Sequence, residues 1–285
     1  MKVLLGTYTR NTSEGIYQIE LNEKEAKLEN LKLVAKTQNP TYLDYDADSK
    51  TVYAVYQNDK DAGIVRFKRE SDDSLELIDA FAKEGNAPCY VRFDKDSGLM
   101  YDANYHLGKM TIYNDEGILE EVQYEEGAHA HFTDFDPKTS YLYVCDLGND
   151  KVYKYKDNKE IEHITLEEGS GPRHIAFHPT LDRMYVFAEL NNTITVLDSN
   201  FNIYQSISTL ENEETIRSGA AIWIRKDGKF LYASNRGEDT IISYTVNEDG
   251  ELEKLETVST YGEHPRDFAL SPDEKYLLAA NRDTN

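Results

Sequence analysis

The sequence predicts an all-β chain, a seven-bladed β-propeller, and three observations predict it. A four-stranded repeat runs through the 285 residues, prolines occupy only two positions of that repeat, and the first repeat lacks its head. The repeat appears as PTYLDYDADSKTVYAVY from Pro40, PCYVRFDKDSGLMYDANY from Pro88 and AHFTDFDPKTSYLYVCDL from Ala130. It continues as PRHIAFHPTLDRMYVFAEL from Pro172, GAAIWIRKDGKFLYASNR from Gly219 and PRDFALSPDEKYLLAANR from Pro265. Successive anchors stand 48, 42, 42, 47 and 46 residues apart, the size of a propeller blade.

Each unit opens with a short alternating run, then a polar turn, then a second run such as TVYAVY or LYASNR, which together read as two antiparallel strands. A third strand follows in GIVRFK, KMTIYN, KVYKYK, TITVLD and TIISYTV. A fourth follows in LELIDAF, ILEEVQY, EIEHITL, IYQSIST and LEKLETV. Proline lacks the donor that a strand interior needs. Pro40, Pro88, Pro172 and Pro265 stand before the first strand, and Pro137, Pro179 and Pro272 stand in the turn that ends it. Repeats of this length without helical periodicity favour a closed ring over a solenoid.

At the start, KVLLGTYTR, GIYQIEL and LKLVAKT read as the second, third and fourth strands of a blade whose first strand is missing. Six anchors and this headless unit make seven blades. The last unit stops at Asn285 after two strands, so the expectation is a single propeller domain over residues 1–285, an incomplete ring truncated within its last blade. About forty-five residues are then missing by the period of the repeat.

Composition narrows the function. With 53 acidic and 31 basic side chains the formal charge is −22, which repels nucleic acid and anionic membranes. The apolar run in MKVLLGTYTRN is too short for a signal peptide, so a cytoplasmic protein is expected, a monomer or weak homo-oligomer. Cys89 and Cys145 have no CxxC or Cys/His metal spacing and read as two free thiols. A GxSxG elbow, an HExxH helix and a phosphate-cradling glycine loop are all missing, which removes the serine-hydrolase, metalloprotease and nucleotide readings.

The start of a blade's first strand and the end of its second share one end of the sheet, so residues there meet at one mouth of the channel. That level holds His129, His131, Arg173, His174, Glu189, Asn235, Arg236, His264, Arg266, Asn281 and Arg282. Tyr8, Arg10, Asn104, Tyr105 and Asp146 share it. Four arginines, Arg173, Arg236, Arg266 and Arg282, gather there in an acidic chain, which favours an anionic ligand that a planar guanidinium can grip through two oxygens. Structural pairing of these arginines with Glu189 and Asp146 is the competing explanation. His131 or Glu189 suits the work of a general base, whereas His106 and His163 fall at solvated loop and outer-strand positions. Acidic residues at the rim are few, so neither a metal nor another cofactor is expected.

The segments LLGTYTR, GSGPRHIAFHP, YVFAEL, LYASNR and HPRDFALSPDEKYLLAANR resemble the seven-bladed propeller lactonases, a family that takes in the propeller type of 6-phosphogluconolactonase and a fungal carboxymuconate-cyclizing enzyme. The resemblance covers the whole chain. It implies His131, Arg173, Glu189 and Arg236 as catalytic residues and metal-free hydrolysis of a small anionic sugar-acid lactone, 6-phosphogluconolactone, in the pentose phosphate pathway. Beside these, His174, Arg266, Asn281 and Arg282 are expected to bind substrate. A carboxymuconate-type cycloisomerase and a non-enzymatic propeller that binds a protein partner are the alternatives.

Overall fold

A computed structural model describes residues 1–10 and 12–284 of the chain, and every segment of regular structure in it is a strand. The chain divides into two compact units, Met1–Thr133 and Asp134–Asn285.

In the first unit, β1 (Lys2–Leu5), β2 (Gly15–Asn22) and β3 (Lys27–Lys36) form a three-stranded sheet. The second sheet is β4 (Leu43–Asp46), β5 (Thr51–Gln57), β6 (Asp61–Arg69) and β7 (Leu75–Glu84), and the third is β8 (Tyr90–Asp94), β9 (Leu99–Asn104), β10 (Lys109–Asn114) and β11 (Gly117–Gln123). A fourth sheet joins β12 (Ala130–Phe135), which spans the division, to β13 (Leu142–Asp146), β14 (Lys151–Lys156) and β15 (Lys159–Thr165).

In the second unit, β16 (Pro172–Phe177), β17 (Met184–Ala188), β18 (Thr193–Leu197) and β19 (Ile203–Ser208) form the fifth sheet. The sixth is β20 (Gly219–Ile224), β21 (Phe230–Asn235), β22 (Thr240–Val246) and β23 (Leu252–Ser259), and β24 (Pro265–Leu270) pairs with β25 (Leu277–Asn281) in a two-stranded seventh. All pairings recorded between neighbouring strands are antiparallel. The three strands of the first sheet and the two of the last are those the headless first repeat and the short last one predict.

The order of burial follows the residue pattern. Within the four-stranded sheets the second strands are mostly buried, as in β13 and β17, whereas the fourth strands β11, β15 and β23 are mostly exposed and carry Glu. Between the fifth and sixth sheets, Tyr185, Phe187 and Val196 pack with Ile222, Leu231 and Tyr244. The buried Tyr185 hydroxyl donates to Gly250 O at 3.0 Å, so an aromatic ring is interred without leaving its polar atom unsatisfied. Truncating a ring such as Phe187 in this core costs about 3–5 kcal/mol by lost transfer energy and the cavity left behind. Between the second and third sheets, Tyr53, Val55 and Ile64 meet Val91, Met100 and Tyr113. There the Tyr113 hydroxyl donates to the buried Asp102 carboxylate at 2.5 Å, and burial raises that carboxyl to about 7.

Two details of the backbone place the residues of interest. In the third to sixth sheets the hairpin between second and third strands turns through a left-handed residue, with φ of 58° at Gly108, 55° at Asp150, 55° at Asn192 and 56° at Asp239. Gly, Asn and Asp are the residues that tolerate this region. In each case that residue's carbonyl accepts the N–H just beyond the sheet's fourth strand, from Tyr124, Leu166, Thr209 and Thr260. In addition, first strands of the second unit are bulged at their start. Pro172 pairs with Ala188 and His174 with Phe187, so Arg173 is an extra residue, and Arg266 is extra in the same way between Pro265 and Asp267. A bulge re-aims the side chain it carries. Pro172 and Pro265 are thus the first residues of their strands, a position proline tolerates, and Pro137, Pro179 and Pro272 lie in the following turns or bends.

Candidate active site

The second unit gathers an arginine cluster around one carboxylate. Glu189 follows the last residue of β17, and its N–H donates to Gly171 O at 2.7 Å, which fixes where the side chain leaves the sheet. Arg173 Nε donates to Glu189 Oε2 at 2.9 Å, and Arg236 Nη2, from the equivalent position after β21 in the next sheet, meets the same oxygen at 2.7 Å. Both contacts fall on Oε2, and Oε1 makes no bond to a described residue. The Glu189 side chain is 21% exposed against 3% for Arg173 and 6% for Arg236, so the carboxylate is the part of the cluster that solvent reaches.

Backbone carbonyls hold the guanidinium groups in place. Arg173 Nη1 donates to Ala220 O at 2.7 Å, and Arg236 donates through Nη2 to Gly219 O at 2.6 Å and through Nε to Ser218 O at 3.3 Å. The carbonyls come from the start of β20, which lies beside β16. A bulge at Ala220 and Ala221 turns them off the strand ladder, and the small side chains keep that space open. Two guanidinium groups thus meet the one Glu189 oxygen. Burial, and then the charge of Arg173, brings Arg236 down to about 10, still protonated at neutral pH.

His174 and His264 are held neutral. His174 is buried, and burial with the charges of Arg173, Arg266 and Arg236 holds it well below its ordinary value. Its Nε2 stands 3.2 Å from Arg173 Nη1 as an acceptor. His264 is brought down to about 4 by partial burial, then by the charges of Arg282 and Arg236. Arg282 engages Asp283 through Nε at 2.6 Å and Nη2 at 2.9 Å.

The match to known proteins is extensive. A family model described as "Lactonase, 7-bladed beta-propeller" fits residues 2–285. The chain belongs to the seven-bladed β-propeller lactonase family. The lactonase is 35% identical over 306 residues to the 6-phosphogluconolactonase of Bacillus subtilis strain 168, covering 98% of this chain and 88% of that protein. An uncharacterized protein of Lactococcus lactis strain MG1363 is 36% identical, covering 100% of this chain and 90% of its own. A solved structure of a Lactobacillus plantarum protein superposes with a TM-score of 0.93 at 34% identity, covering 98% of this chain and 88% of that one. The lactonase therefore has the all-β propeller fold of its family and is a lactone hydrolase.

Of the residues expected at the mouth, the second unit of the lactonase joins Arg173, Glu189 and Arg236 directly, with His174 against Arg173, and places Arg266 and Arg282 near enough to act on the histidines. The pairing of Arg173 and Arg236 with Glu189 that sequence offered as a structural alternative is real, and it is also what orients the carboxylate.

Asn235 and Asn281 each hold a loop through the side-chain amide. Asn235 is fully buried and donates to Thr209 O at 2.7 Å, while Asn281 points its amide at Thr260 O at 3.4 Å. Each clamps the loop that leaves the preceding sheet, as Asn104 does at Asn86 O at 2.8 Å.

In the first unit, His131 is buried on β12 and meets the Tyr105 ring edge-on at 6.1 Å. His129 stacks on that ring at 4.2 Å with Nδ1 2.8 Å from Tyr105 O. The Cys89 thiol lies 3.6 Å from His131 O. His163 sits on the exposed strand β15 against Glu160 at 2.9 Å, the solvated position expected of it. Cys89 and Cys145 are free thiols. Among the described residues, no group of three or more His, Cys, Asp or Glu side chains is placed to hold a metal ion, and no helix is long and apolar enough to cross a membrane.

Proposed function

We propose that this lactonase hydrolyses 6-phosphogluconolactone, with Glu189 as the base. The observation that carries the reading is the double clamp on Glu189 Oε2, which leaves Oε1 without a bond to a described residue on a side chain that solvent reaches. In this scheme Oε1 takes a proton from a water molecule, whose oxygen adds to the lactone carbonyl. The oxyanion that forms is stabilised by Arg173 or Arg236, both held by backbone carbonyls before substrate arrives. Collapse breaks the ring C–O bond, and the departing alkoxide recovers the proton from Glu189, so one water is added and the carboxylate is regenerated. Arg266 and Arg282 are assigned to the remote anion, where bidentate contact suits a phosphate. The substrate assignment is supported by the arginines gathered around Glu189 and by the name of the Bacillus subtilis relative.

His131 is the alternative base. Replacing it by Asn beside Glu189→Gln separates the two: the base is the residue whose loss falls on turnover. The deciding experiment follows ring opening of 6-phosphogluconolactone, in a panel of unphosphorylated lactones, in water enriched in heavy oxygen. Hydrolysis puts one solvent oxygen into the product carboxylate. A product without it indicates a cycloisomerase, and ring opening no faster than the spontaneous reaction without protein removes the catalytic reading.

A further inference from the structure

The geometry points to Asp150 and Asp239 as positioning residues for the arginine cluster, each acting from one sheet on the residues of the next. The inference rests on the reading of Arg173, Glu189, Arg266 and Arg282 as the lactone site. Asp150 and Asp239 occupy the same left-handed hairpin position in the fourth and sixth sheets. Asp150 Oδ1 accepts the N–H of Gly171 at 2.7 Å, and Asp239 Oδ1 accepts the N–H of His264 at 2.7 Å. Gly171 and His264 are themselves equivalent. Each lies two residues before a bulged arginine, Arg173 or Arg266, and each is left-handed, with φ of 64° and 63°.

The other side of the same two residues is held as well. Gly171 O accepts the N–H of Glu189 at 2.7 Å, and His264 O accepts the N–H of Arg282 at 2.9 Å. One residue is therefore pinned by a carboxylate at its nitrogen and by a site residue at its oxygen, and the bulged arginine follows directly. Asp150 adds a second anchor on the loop, accepting Gly169 N–H at 2.7 Å through Oδ2. An ionised acceptor makes a stronger bond to N–H than a neutral one.

At the two other left-handed hairpin positions, Gly108 and Asn192, there is neither a carboxylate nor an arginine at the matching place in the next sheet. Gly108 precedes the strand that carries His131, and Asn192 precedes the one that carries Ala220, its amide turned instead to Asn235 Oδ1 at 2.9 Å. Asp150 thus sets the Arg173–Glu189 pair, and Asp239 sets Arg266 and Arg282.

The test replaces each aspartate by Gly, which keeps the left-handed turn and removes the carboxylate, as Gly108 does naturally. On 6-phosphogluconolactone, Asp150→Gly is expected to lower kcat at least about fivefold with KM within about twofold, and Asp239→Gly to raise KM at least about fivefold with kcat little changed. Asp150→Asn, which keeps an acceptor oxygen, restores kcat to within about twofold. Asp150→Ser, too short to reach Gly171, repeats the glycine result if the glycine variant fails to fold. A wild-type kcat in Asp150→Gly or Asp150→Ser, or proportional losses in both constants for both aspartates, overturns the inference. Crystal structures of the variants read the same point without turnover: the 2.9 Å contact of Arg173 with Glu189 is expected to open, and an unchanged contact overturns it. If the contact opens while the wild-type protein opens no lactone, the proposed function falls and the positioning role stands.

Discussion

Arg236 Nη2 lies 2.7 Å from Glu189 Oε2, and that bond joins the end of one sheet's second strand to the end of the next. Arg173, from the first strand of Glu189's own sheet, closes the triangle at 2.9 Å. The carboxylate is therefore oriented by two neighbours that differ in origin, and removing either should leave it turned but still held.

Glu189→Gln keeps the shape of the side chain and removes the base. Turnover is expected to fall on the order of 10²-fold or more, the usual contribution of a positioned base. KM should change little. The measurement is steady-state kinetics beside a melting curve, and wild-type turnover in this variant would remove Glu189 from the chemistry.

Arg173→Lys preserves a positive charge and loses the fork that spans Glu189 and Ala220 O at once. The expected result is a tenfold or greater drop in kcat/KM with most of the stability retained. Arg173→Met leaves a buried acceptor and Glu189 short of a partner and should destabilise by about 1–3 kcal/mol. A lysine variant as active as wild type would show that only charge matters here.

Gly171→Ala tests the left-handed turn. At φ of 64° a Cβ is strained, and it would stand 2.7 Å from Leu190 Cγ. A stability loss of about 1 kcal/mol or more is expected, with a larger proportional loss of turnover. His264→Gly, at the matching φ of 63°, relieves the same strain and should raise the melting temperature. Opposite signs in chemical denaturation for the two would be the supporting outcome, and like signs would count against it.

The dependence of stability on pH should carry a contribution from Asp102. Its folded value of about 7 exceeds the ordinary 3.8 because burial disfavours the charged form. The folded chain therefore binds this proton more tightly than the unfolded chain. Its stabilising contribution is complete below about pH 4 and is lost as pH rises toward and through 7. In Asp102→Asn this dependence disappears, so the melting temperature of the variant relative to wild type should rise between pH 5 and pH 8 by a few degrees. A pH-independent difference would refute it.

Chelation should leave turnover unchanged under the proposed mechanism, since arginines do the electrostatic work. Activity that disappears with chelator and returns with calcium would replace it by a metal-dependent one.

Strand order and burial were open to reading from the sequence because alternation, turn residues and proline all obey one register. That register also brought Arg173, Glu189 and Arg236 to one level. It did not reveal the bulges at Arg173 and Arg266, because a bulge adds a residue without changing which residue types surround it. The loop contacts of Asn235 and Asn281 were not legible either, since an amide at a strand end looks the same whether it meets a ligand or a loop carbonyl. Asp150 and Asp239 were overlooked for a related reason: aspartate is common in left-handed turns, and only the position of the next sheet's backbone gives its carboxylate a second task. The signal that could have found them is their recurrence one repeat ahead of each arginine of the first strands.

The reach of Asp150 and Asp239 across sheets changes what counts as a module for recombination. A sheet such as β16–β19 transplanted alone would arrive without the turn that holds Gly171, and so with its arginine unguided. Exchange boundaries drawn within the second strand of a sheet, ahead of its hairpin, would carry each turn together with the arginine it serves. Hybrids of related chains cut there should inherit working sites, whereas cuts at the loops between sheets should yield folded proteins with misaligned ones.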